Sequence, residues 1–420
     1  MQNQQTRIVI VGGGFAGAYC ARRLSRKLRH KPVEITLVNE QNNFTFTPLL
    51  VEAATSALEP RHVTVPLRGF LKHCSFVMAQ VRSIDLQKQI VAVQPSFGDV
   101  LSLEFDHLVL ALGSVTRMPD VSGLNEHGYG LKSMSDAMAL RDRTIRMLEM
   151  ANLRPSHKQR RSWLTFAIVG AGYTGVEAAG EFNAFLREAV RYYPHVRESD
   201  VRVLLIQRAD RILETLDEKL SRKASKILAK HGVEILLNES VQSIAEDSFT
   251  LHSGRTIGAH TLIWSAGVAP PTLLEKLDLA KNSHGYLDCD PDCRVKGRAN
   301  IWGIGDCAST PDPAGNAYPH TAQHALREGL HAADNLVALL AGRNTRPLRY
   351  HTKGTMAPLG GRQAVADVWG MHLTGLPAWF LWRTVYLAIM PGWGRRVRVA
   401  MDWTADFFFR RDYSQQGFHK

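Results

Sequence analysis

RIVIVGGGFAGAYCARRL, residues Arg7–Leu24, decides the fold. Its apolar residues Ile8–Val11 predict a buried strand, and the residues after the glycines predict a helix. Gly12, Gly14 and Gly17 have the spacing of a dinucleotide-binding loop. In such a loop the first glycine permits a tight turn, the second lets the backbone approach a pyrophosphate, and the third lets the helix pack on the strand. The stretch therefore predicts that phosphates bind at the N-terminus of a helix, where the helix dipole is positive.

The sequence that follows completes a strand–helix–strand unit. A second apolar strand, VEITLV, ends at Asn39 and Glu40, where a ribose-binding side chain belongs. A glycine-rich turn alone is common in proteins, so it is this second strand that favours dinucleotide binding over a purely structural turn.

A second copy of the pattern lies about 160 residues further along the chain. LTFAIVGAGYTGVEAAGEF carries Gly170, Gly172 and Gly175 on a predicted strand, turn and helix, and the strand VRVLLIQR follows a longer helix. Two such units indicate an internal duplication. Because one dinucleotide needs one loop, the two loops predict two bound nucleotides and electron transfer between them.

Together with further motifs that follow along the chain, these two loops resemble the two-dinucleotide-binding flavoprotein superfamily, and the resemblance covers most of the chain. That resemblance implies a path from an FAD domain to an NAD(P) domain and back. The crossing points are FDHLVLALGS, which contains Gly113, and LIWSAGV, which contains Gly267. The returning segment ANIWGIGDCA contains Asp306, which resembles the aspartate that bonds the flavin ribityl chain. The resemblance thus implies FAD as the cofactor.

Charge and cysteine content limit the classes of function. The chain has 51 Lys and Arg against 39 Asp and Glu, a net charge of +12, so an anionic partner is expected. Nucleic acid, anionic lipid and phosphorylated cofactors all satisfy that condition. The 5 cysteines are scattered, and no pair has the spacing of a zinc site, so no metal site is expected. Because the first strand begins within a few residues of Met1, no signal peptide is expected.

One stretch of the sequence limits the classes of electron acceptor that the protein can use. Disulfide reductases of the superfamily carry a redox-active cysteine pair just after the first ribose-binding position, where this chain has NEQNNFTFTPLLVEAATSALEP. A thiol relay at that place is excluded, together with single-cysteine peroxidase chemistry. Cys307 is interpreted as a small packed residue. The remaining acceptors are an electron-carrier protein, dioxygen and a lipid quinone.

The C-terminal tail is rich in aromatic residues and arginines. Between Ala378 and Ile389 only Arg383 and Thr384 interrupt an apolar surface. A second predicted helix repeats apolar side chains on one face, namely Val399, Trp403 and Phe407. Such faces beside arginines are typical of helices that lie in the plane of a membrane, although a dimer interface or a helix that closes the core has the same pattern. No run of 18 uncharged apolar residues occurs, so no spanning helix is expected.

Within the superfamily, the chain resembles the type II NADH dehydrogenases over essentially its whole length. The resemblance is carried by FTFTPLL, PHTAQHALREG, YHTKGTMAPLGGRQAV and the C-terminal aromatic helices. It implies a single-chain respiratory NAD(P)H:quinone oxidoreductase that pumps no protons. It also implies a peripheral protein on the cytoplasmic side of the cell membrane, with a membrane quinone and an anionic lipid surface as partners. Homodimerisation through the C-terminal region is implied by the resemblance alone.

Several residues are candidate quinone or flavin contacts through this resemblance. The family's quinone motif fits Ala322, Gln323 and Gly329, but Arg327 replaces its second glutamine. Two interpretations of Arg327 stay open: a donor to a quinone oxygen, or a surface charge paired with a neighbour. Lys353 matches a family lysine near the flavin and quinone. Glu177 matches a family glutamate near the nicotinamide and flavin. The alternative interpretation is an acid that the dipole of its helix favours near the N-terminus.

The second ribose-binding strand bears on the choice of nicotinamide. NADH-selective enzymes have an acidic residue at its end, which bonds the ribose 2′-OH and repels the 2′-phosphate of NADPH. This chain has Gln207 there, followed by Arg208, which can pair with a phosphate. The pair predicts that NADPH is accepted. Alternatively, Arg208 points to solvent and Gln207 still bonds the 2′-OH.

The predicted fold class is α/β, with two Rossmann-like dinucleotide-binding domains and a C-terminal membrane-associating helical segment. The FAD domain is expected to be split between residues 1–118 and 269–345, with the NAD(P) domain at residues 119–268. Residues 346–420 are expected to form the quinone-side and membrane-associating segment.

Two other classes of protein stay open. A soluble ferredoxin- or rubredoxin-type reductase would have the same two loops, with a basic docking patch instead of lipid-facing helices. A protein that resembles apoptosis-inducing flavoproteins would use nucleotide binding to control assembly or DNA contact. Outside the tail, no basic run with interleaved aromatic residues is typical of a nucleic-acid site, so no nucleic-acid partner is expected.

Overall fold

The computed structural model describes residues 5–418 and divides them into two compact units. The first unit contains the chain up to residue 45, residues 64–115 and residues 268–351. The second unit contains residues 46–63, residues 116–267 and the chain from residue 352 onward. The domain boundaries expected from the sequence stay predictions, because the units are defined by contacts and not by bound nucleotides.

The elements are numbered in chain order. The strands are β1 (Thr6–Val11), β2 (Val33–Asn39), β3 (Asn43–Thr45), β4 (Thr64–Pro66), β5 (Ser75–Asp85), β6 (Ile90–Pro95), β7 (Leu101–Glu104), β8 (His107–Leu110), β9 (Val115–Thr116), β10 (Gly128–Tyr129), β11 (Thr165–Val169), β12 (Arg202–Ile206), β13 (Val233–Leu236), β14 (Val241–Ile244), β15 (Ser248–Leu251), β16 (Thr256–Gly258), β17 (Thr261–Trp264), β18 (Val268–Ala269), β19 (Leu287–Asp288), β20 (Ile301–Gly303), β21 (Ala308–Ser309), β22 (Gly354–Pro358), β23 (Ala364–Val368) and β24 (Met371–Gly375). The helices are α1 (Phe15–Lys27), α2 (Leu50–Ala54), α3 (Leu67–Phe70), α4 (Leu124–His127), α5 (Met134–Asn152), α6 (His157–Trp163), α7 (Tyr173–Ala189), α8 (Glu218–Lys230), α9 (Ala322–Leu340), α10 (Leu376–Ile389) and α11 (Trp393–Phe408).

The first unit is built on a seven-stranded sheet with the order β20-β8-β1-β2-β5-β6-β7. The strands from β20 to β5 run parallel, and β6 and β7 extend the sheet as an antiparallel meander. The central strand β1 pairs Ile8 with Ile35 of β2 and with His107 of β8. Its residues Ile8–Val11 are buried, as predicted, because a central parallel strand is covered on both faces.

Helix α9 packs closely against α1 in the same unit. A Cβ on Gly329 of α9 would overlap the carbonyl oxygen of Ala16 in α1, so only glycine allows the two backbones to approach this far. Asp334 of α9 accepts two hydrogen bonds from the guanidinium of Arg23 in α1, both at 2.8 Å. These contacts fix the position of α9 relative to the first glycine loop.

The second unit is built on a five-stranded parallel sheet with the order β10-β17-β11-β12-β13. All residues of its central strand β11 are buried. Two three-stranded antiparallel sheets, β14-β15-β16 and β22-β23-β24, belong to the same unit. With a set of parallel strands and one glycine loop in each unit, the prediction of an α/β protein with two Rossmann-like folds is confirmed.

Helices α10 and α11 end the second unit. Across the described stretch, residues 5–418, none of the helices combines the length and the hydropathy that crossing a bilayer requires. The large apolar side chains exposed on this pair of helices are Leu376, Phe380, Ile389, Trp393, Val397, Met401, Phe407 and Phe408. Trp379, Trp382, Val399 and Trp403 are buried instead. Of the alternatives left open for the face formed by Val399, Trp403 and Phe407, packing against the protein's own unit therefore applies to Val399 and Trp403, whereas Phe407 is exposed.

Candidate functional site

The first glycine loop connects β1 to α1. Gly12 has a φ of +101°, which favours glycine, and a Cβ there would overlap the carbonyl oxygen of Ala111. A Cβ on Gly17 would overlap the carbonyl oxygen of Gly12, so the helix approaches the loop closely. A Cβ on Gly14, the N-cap of α1, would meet no atom within 4 Å. The loop is therefore packed tightly at Gly12 and Gly17 and open at Gly14.

Asn39 and Glu40 lie beside this loop at the end of β2. The Oδ1 atom of Asn39 accepts a hydrogen bond from the Gly13 N–H at 2.8 Å, and its Nδ2 donates to the carbonyl oxygen of Gln41 at 2.8 Å. Asn39 thus braces the glycine loop. Glu40 is exposed and supplies a carboxylate at the strand end.

Asp306 lies beside the turn that contains Gly113. The hydroxyl of Ser114 donates a hydrogen bond to Oδ2 of Asp306 at 3.1 Å. Gly113 has a φ of +67°, and a Cβ there would meet no atom within 4 Å. The turn that carries Asp306 is held by α9, because the Gly305 N–H donates to the buried Glu328 carboxylate at 2.5 Å. Burial raises the pKa of Glu328 to about 8, while this hydrogen bond acts in the opposite direction.

These features fit an FAD in the first unit. The open position at Gly14 leaves room for a pyrophosphate at the N-terminus of a 13-residue helix. Glu40 stands at the strand end where Rossmann folds bond the ribose of the adenosine. Asp306 is a carboxylate held in place beside a second open turn, suited to a polyhydroxyl chain.

Helix α9 carries the residues predicted to contact a quinone, beginning with Ala322 at its first position. The Tyr350 hydroxyl donates a hydrogen bond to Oε1 of Gln323 at 3.2 Å. The exposed Arg327 places its guanidinium over the Tyr350 ring, 5.3 Å from the centroid. Tyr350 therefore positions both side chains. The sequence did not single it out, although it begins the YHTKGTMAPLGGRQAV stretch.

Lys353 belongs to the other unit. It is exposed and lies immediately before β22 in the second unit, whereas Gln323 and Arg327 lie in the first. A common quinone site for these side chains therefore stays a prediction.

The second glycine loop, between β11 and α7, repeats the geometry of the first. Gly170 has a φ of +96°, and a Cβ there would lie 2.8 Å from the Cα of Ala266. A Cβ on Gly175 would overlap the carbonyl oxygen of Gly170, whereas one on Gly172 would meet no atom within 4 Å. Gly267, with a φ of +87°, lies in the turn after β17. This loop is likewise packed at its first and third glycines and open at the second, which fits a second dinucleotide.

Gln207 directly follows β12, and its side-chain amide joins two neighbours. The Ala171 N–H donates to Oε1 of Gln207 at 3.0 Å, and Nε2 of Gln207 donates to a carboxylate oxygen of Glu214 at 2.9 Å. Arg208 is exposed next to it. Gln207 thus lies against the second glycine loop. Its hydrogen bond also places Glu214 near that loop, which no sequence pattern indicated.

Glu177 lies in α7, just after the second loop. Its Oε1 atom is buried and has no hydrogen-bond partner within residues 5–418. Burial raises the pKa of Glu177 well above its usual 4.5, and the carboxyl groups of Glu52 and Glu181 raise it further. Burial without a partner disfavours the charged form of Glu177 and so favours its protonated form. Its environment differs from that of an exposed acid that merely complements a helix dipole.

A cluster of charged side chains packs within the second unit near Glu177, and the sequence reasoning missed it. We call it the C-terminal charge cluster; its members are Glu52, Glu181, Arg383, Asp406 and Arg411. The Nη2 atom of Arg383 lies 3.7 Å from both Glu52 and Asp406, and Arg411 bonds both Glu181 and Asp406 at 3.1 Å. The only signal in the sequence was an acid, Glu52, within the apolar run FTFTPLLVEAA.

Comparison with known proteins identifies the family. Residues 6–329 match the pyridine nucleotide-disulphide oxidoreductase family, and residues 352–412 match the NDH2 C-terminal domain. The chain is 32% identical over 410 residues to demethylphylloquinone reductase NdbB of Synechocystis, covering 96% of each protein. It is 30% identical to the type II NADH:quinone oxidoreductase Ndh of Mycobacterium tuberculosis, covering 96% of this chain and 89% of that protein. The chain belongs to the type II NADH:quinone oxidoreductase family.

The fold agrees with this assignment. The structure of NDH2 from Plasmodium falciparum in complex with NADH has a TM-score of 0.92 to this chain and 21% sequence identity, and the match covers 98% of this chain and 100% of that one. At this level of identity the likeness establishes the fold alone.

The cysteines of this type II family member are packed residues. Cys20, Cys289, Cys293 and Cys307 are buried free thiols. Cys307 donates to the carbonyl oxygens of Leu110 and Ile304, each at 3.4 Å, and burial raises its pKa to about 12. A thiol with such a pKa is protonated at neutral pH and is a poor nucleophile. The interpretation of Cys307 as a packed residue is therefore confirmed.

Proposed function

We propose that this chain is an FAD-dependent NAD(P)H:quinone oxidoreductase of the respiratory type that pumps no protons. The observation that carries the proposal is the pair of glycine loops, each open only at its middle glycine, together with the absence of cysteine from the stretch NEQNNFTFTPLLVEAATSALEP that follows the first ribose-binding position. Bound FAD would supply the two-electron exchange between a hydride donor and a quinone.

The nucleotide-binding residues divide between the units. In the first unit, Gly14 and Glu40 would hold the pyrophosphate and ribose of FAD, and Asp306 its ribityl chain. In the second unit, Gly172 and Gln207 would hold the pyrophosphate and ribose of the nicotinamide nucleotide. Such positioning supplies much of the rate acceleration, because oriented reactants avoid the entropic cost of a bimolecular encounter.

The residues proposed to act on the quinone would supply polar contacts and a proton. Gln323 and Arg327, both held by Tyr350, are proposed to donate hydrogen bonds to quinone oxygens. Glu177 is proposed to hold a transferable proton on its buried carboxyl group, which supports its assignment as a catalytic residue. Lys353 is retained as a further candidate on the strength of the family motif.

A lipid-soluble acceptor explains the exposed apolar side chains of α10 and α11. Trp393 and Met401 are 78% and 65% exposed, and Arg395 and Arg398 lie between them in sequence. We propose that this surface rests in an anionic membrane leaflet as a peripheral contact, on the cytoplasmic side where the surface potential is negative. The net charge of +12 favours the same placement. Homodimerisation through this C-terminal region is the competing use of the surface.

Both nicotinamide nucleotides are proposed as hydride donors. Gln207 carries no charge that would repel a 2′-phosphate, and the exposed Arg208 can pair with one. We therefore expect kcat/KM for NADPH to lie within about a hundredfold of that for NADH, a difference of about 2.7 kcal/mol at most.

The decisive experiment is anaerobic reduction of the FAD-loaded protein by NADH or NADPH, followed by addition of a short-chain quinone. We expect bleaching of the flavin absorbance by the nucleotide and its recovery on addition of the quinone. Recovery with a ferredoxin or rubredoxin but with no quinone would contradict the proposal in favour of a soluble reductase. A long-lived reduced complex with every acceptor would point instead to a nucleotide-sensing flavoprotein.

A further inference from the structure

The residue at the end of β12, Gln207, has no carboxylate, but the carboxylate of Glu214 lies beside it. Gln207 occupies the position where NADH-selective Rossmann folds have an acid. Its amide is engaged on both sides, by the Ala171 N–H at 3.0 Å and by Glu214 at 2.9 Å. The side chain of Gln207 therefore connects Glu214 to the second glycine loop, although Glu214 is seven positions after Gln207 in the sequence.

One backbone and one side-chain hydrogen bond connect the segment that carries Glu214 to the glycine loop and the start of α7. The Leu213 N–H donates to the carbonyl oxygen of Ala171 at 2.8 Å, and the Thr215 hydroxyl donates to the Tyr173 hydroxyl at 3.2 Å. The bonds on both sides of Glu214 thus tie it to the residues that flank Gly172. Leu213 has a φ of +48°, a strained conformation for a leucine that persists only where surrounding contacts impose it.

We propose that Glu214 supplies the negative charge that Gln207 lacks, and that it is the residue that favours NADH over NADPH. The inference deepens the proposed function and rests on it only in that the second loop binds the nicotinamide nucleotide. One Glu214 oxygen is bonded to Gln207, and the side chain is exposed, so its carboxylate can accept a hydrogen bond from a ribose 2′-OH. A 2′-phosphate in that place meets a like charge instead.

The surrounding arginines moderate this discrimination. Arg208 is exposed beside Gln207, and Arg211 donates from its Nη2 atom to the carbonyl oxygen of Glu214 at 2.8 Å. These two positive charges attract a 2′-phosphate while Glu214 repels it. NADPH is therefore accepted, but with lower efficiency than NADH.

A purely structural role for Glu214 predicts a different result from the same substitution. In Glu214→Gln the new amide oxygen can still accept the hydrogen bond from Gln207, so the loop keeps its support and only the charge is lost. If Glu214 merely braced the loop, the binding of the two nucleotides would be affected equally or not at all. If its charge discriminates, only the 2′-phosphorylated ligand gains affinity.

The test is calorimetric titration of the FAD-loaded protein with 5′-ADP and with 2′,5′-ADP, which report the adenosine half of the two nucleotides without any turnover. We expect Glu214→Gln to tighten binding of 2′,5′-ADP about tenfold and to leave 5′-ADP within about threefold. Glu214→Lys should tighten 2′,5′-ADP further. The matched control is Glu218→Gln, which changes an exposed glutamate four residues further along that pairs with Arg222; it should change neither affinity.

Several outcomes would overturn the inference: no change in either affinity, equal changes for both ligands, an equal effect of Glu218→Gln, or no binding of either ligand to the unmodified protein. Failure of the proposed function looks different. If Glu214→Gln changes the selectivity of nucleotide binding but no quinone reoxidises the reduced flavin, the proposed quinone reductase activity is contradicted. The role of Glu214 in nucleotide selection is then retained.

Discussion

Trp403 donates its indole N–H to a carboxylate oxygen of Glu52 at 2.8 Å, although the two residues are 351 positions apart in the chain. Both side chains are buried in the second unit. The guanidinium of Arg383 lies over the Trp403 ring, 4.8 Å from its centroid, and 3.7 Å from the Glu52 carboxylate. A tryptophan that resembles a lipid anchor in the sequence is therefore a partner of a buried acid.

Trp403→Phe should destabilise the second unit. Burial raises the pKa of Glu52 to about 7, and the Trp403 hydrogen bond and Arg383 both oppose that rise. Without the indole N–H the pKa of Glu52 rises further, and a buried acceptor loses its partner at a cost of about 1–3 kcal/mol. Because a raised folded-state pKa means stability that is lost as pH rises through it, the cost should be larger above about pH 7 than at about pH 5. Chemical unfolding at both pH values measures this effect.

The control for this substitution is Trp393→Phe, which changes a tryptophan that is 78% exposed on the same helix. It should leave the free energy of unfolding unchanged within about 0.5 kcal/mol. Equal losses in the two variants would show that the bond to Glu52 contributes nothing specific.

The sequence predicts the parts of the site that depend on local geometry. The glycine spacing suffices to locate both loops, because the positive φ of Gly12 and the close approach at Gly17 are requirements of a short strand–turn–helix segment. The same strand–helix–strand pattern also places Gln207 at the end of the second strand. These predictions need no knowledge of what packs on the segment from elsewhere.

Contacts between distant segments could not be predicted in this way. The helical periodicity of α11 identifies an apolar face, but it cannot distinguish lipid from the interior of a unit, and only the structure shows that Trp403 is buried. Glu214 lies in a loop without a regular pattern, and only its bond to Gln207 shows its relation to the nucleotide site. Tyr350 likewise acquires its significance from contacts with Gln323 and Arg327 across 27 and 23 positions of the chain.

Gly172→Ala should separate nucleotide binding from folding. The added methyl group would meet no protein atom within 4 Å, so the fold should be retained. It would occupy the space proposed for the pyrophosphate of the nicotinamide nucleotide, and we expect the Kd for NADH to rise at least about tenfold. Isothermal titration and thermal unfolding measure the two quantities.

The companion variant is Gly175→Ala in the same loop. Its Cβ would overlap the carbonyl oxygen of Gly170, so it should lower the Tm as well as the affinity for NADH. If Gly172→Ala binds NADH as tightly as the unmodified protein, the second loop is not the nucleotide site.

Glu177→Gln should slow the quinone half-reaction selectively. Burial raises the pKa of this carboxyl group and favours its protonated form, whereas an amide has no such proton to give. We expect the rate of flavin reoxidation by a short-chain quinone to fall by about a hundredfold, the scale of general acid catalysis. Stopped-flow spectroscopy measures reoxidation and reduction by NADH separately. Because the buried Oε1 atom has no hydrogen-bond partner among the described residues, stability should not fall. Equal slowing of both half-reactions would argue against a proton-donating role.

Glu328→Gln should remove a pH-dependent loss of stability from the first unit. The pKa of Glu328 is raised from the usual 4.5 to about 8, mainly by burial. Its contribution to stability is therefore complete below the unfolded-state value and is lost as pH rises toward and through about 8. The glutamine can still accept the Gly305 N–H bond, so the variant should gain about 2 kcal/mol relative to the unmodified protein between about pH 6 and about pH 9. The exposed Glu275→Gln is the control, and parallel pH profiles for all three proteins would refute the prediction.

The double variant Trp393→Ser with Met401→Ser should release the protein from anionic vesicles. Both side chains are largely exposed on α11, and loss of their apolar area from the acyl boundary should cost at least about 1.4 kcal/mol, or about tenfold in partitioning. Sedimentation with vesicles that contain anionic lipid measures the bound fraction. The control is Phe97→Ser, which removes an apolar side chain that is 92% exposed in the first unit and should leave binding unchanged. Unaltered sedimentation of the double variant, with a change from dimer to monomer, would assign the surface to a second copy of the chain and not to lipid.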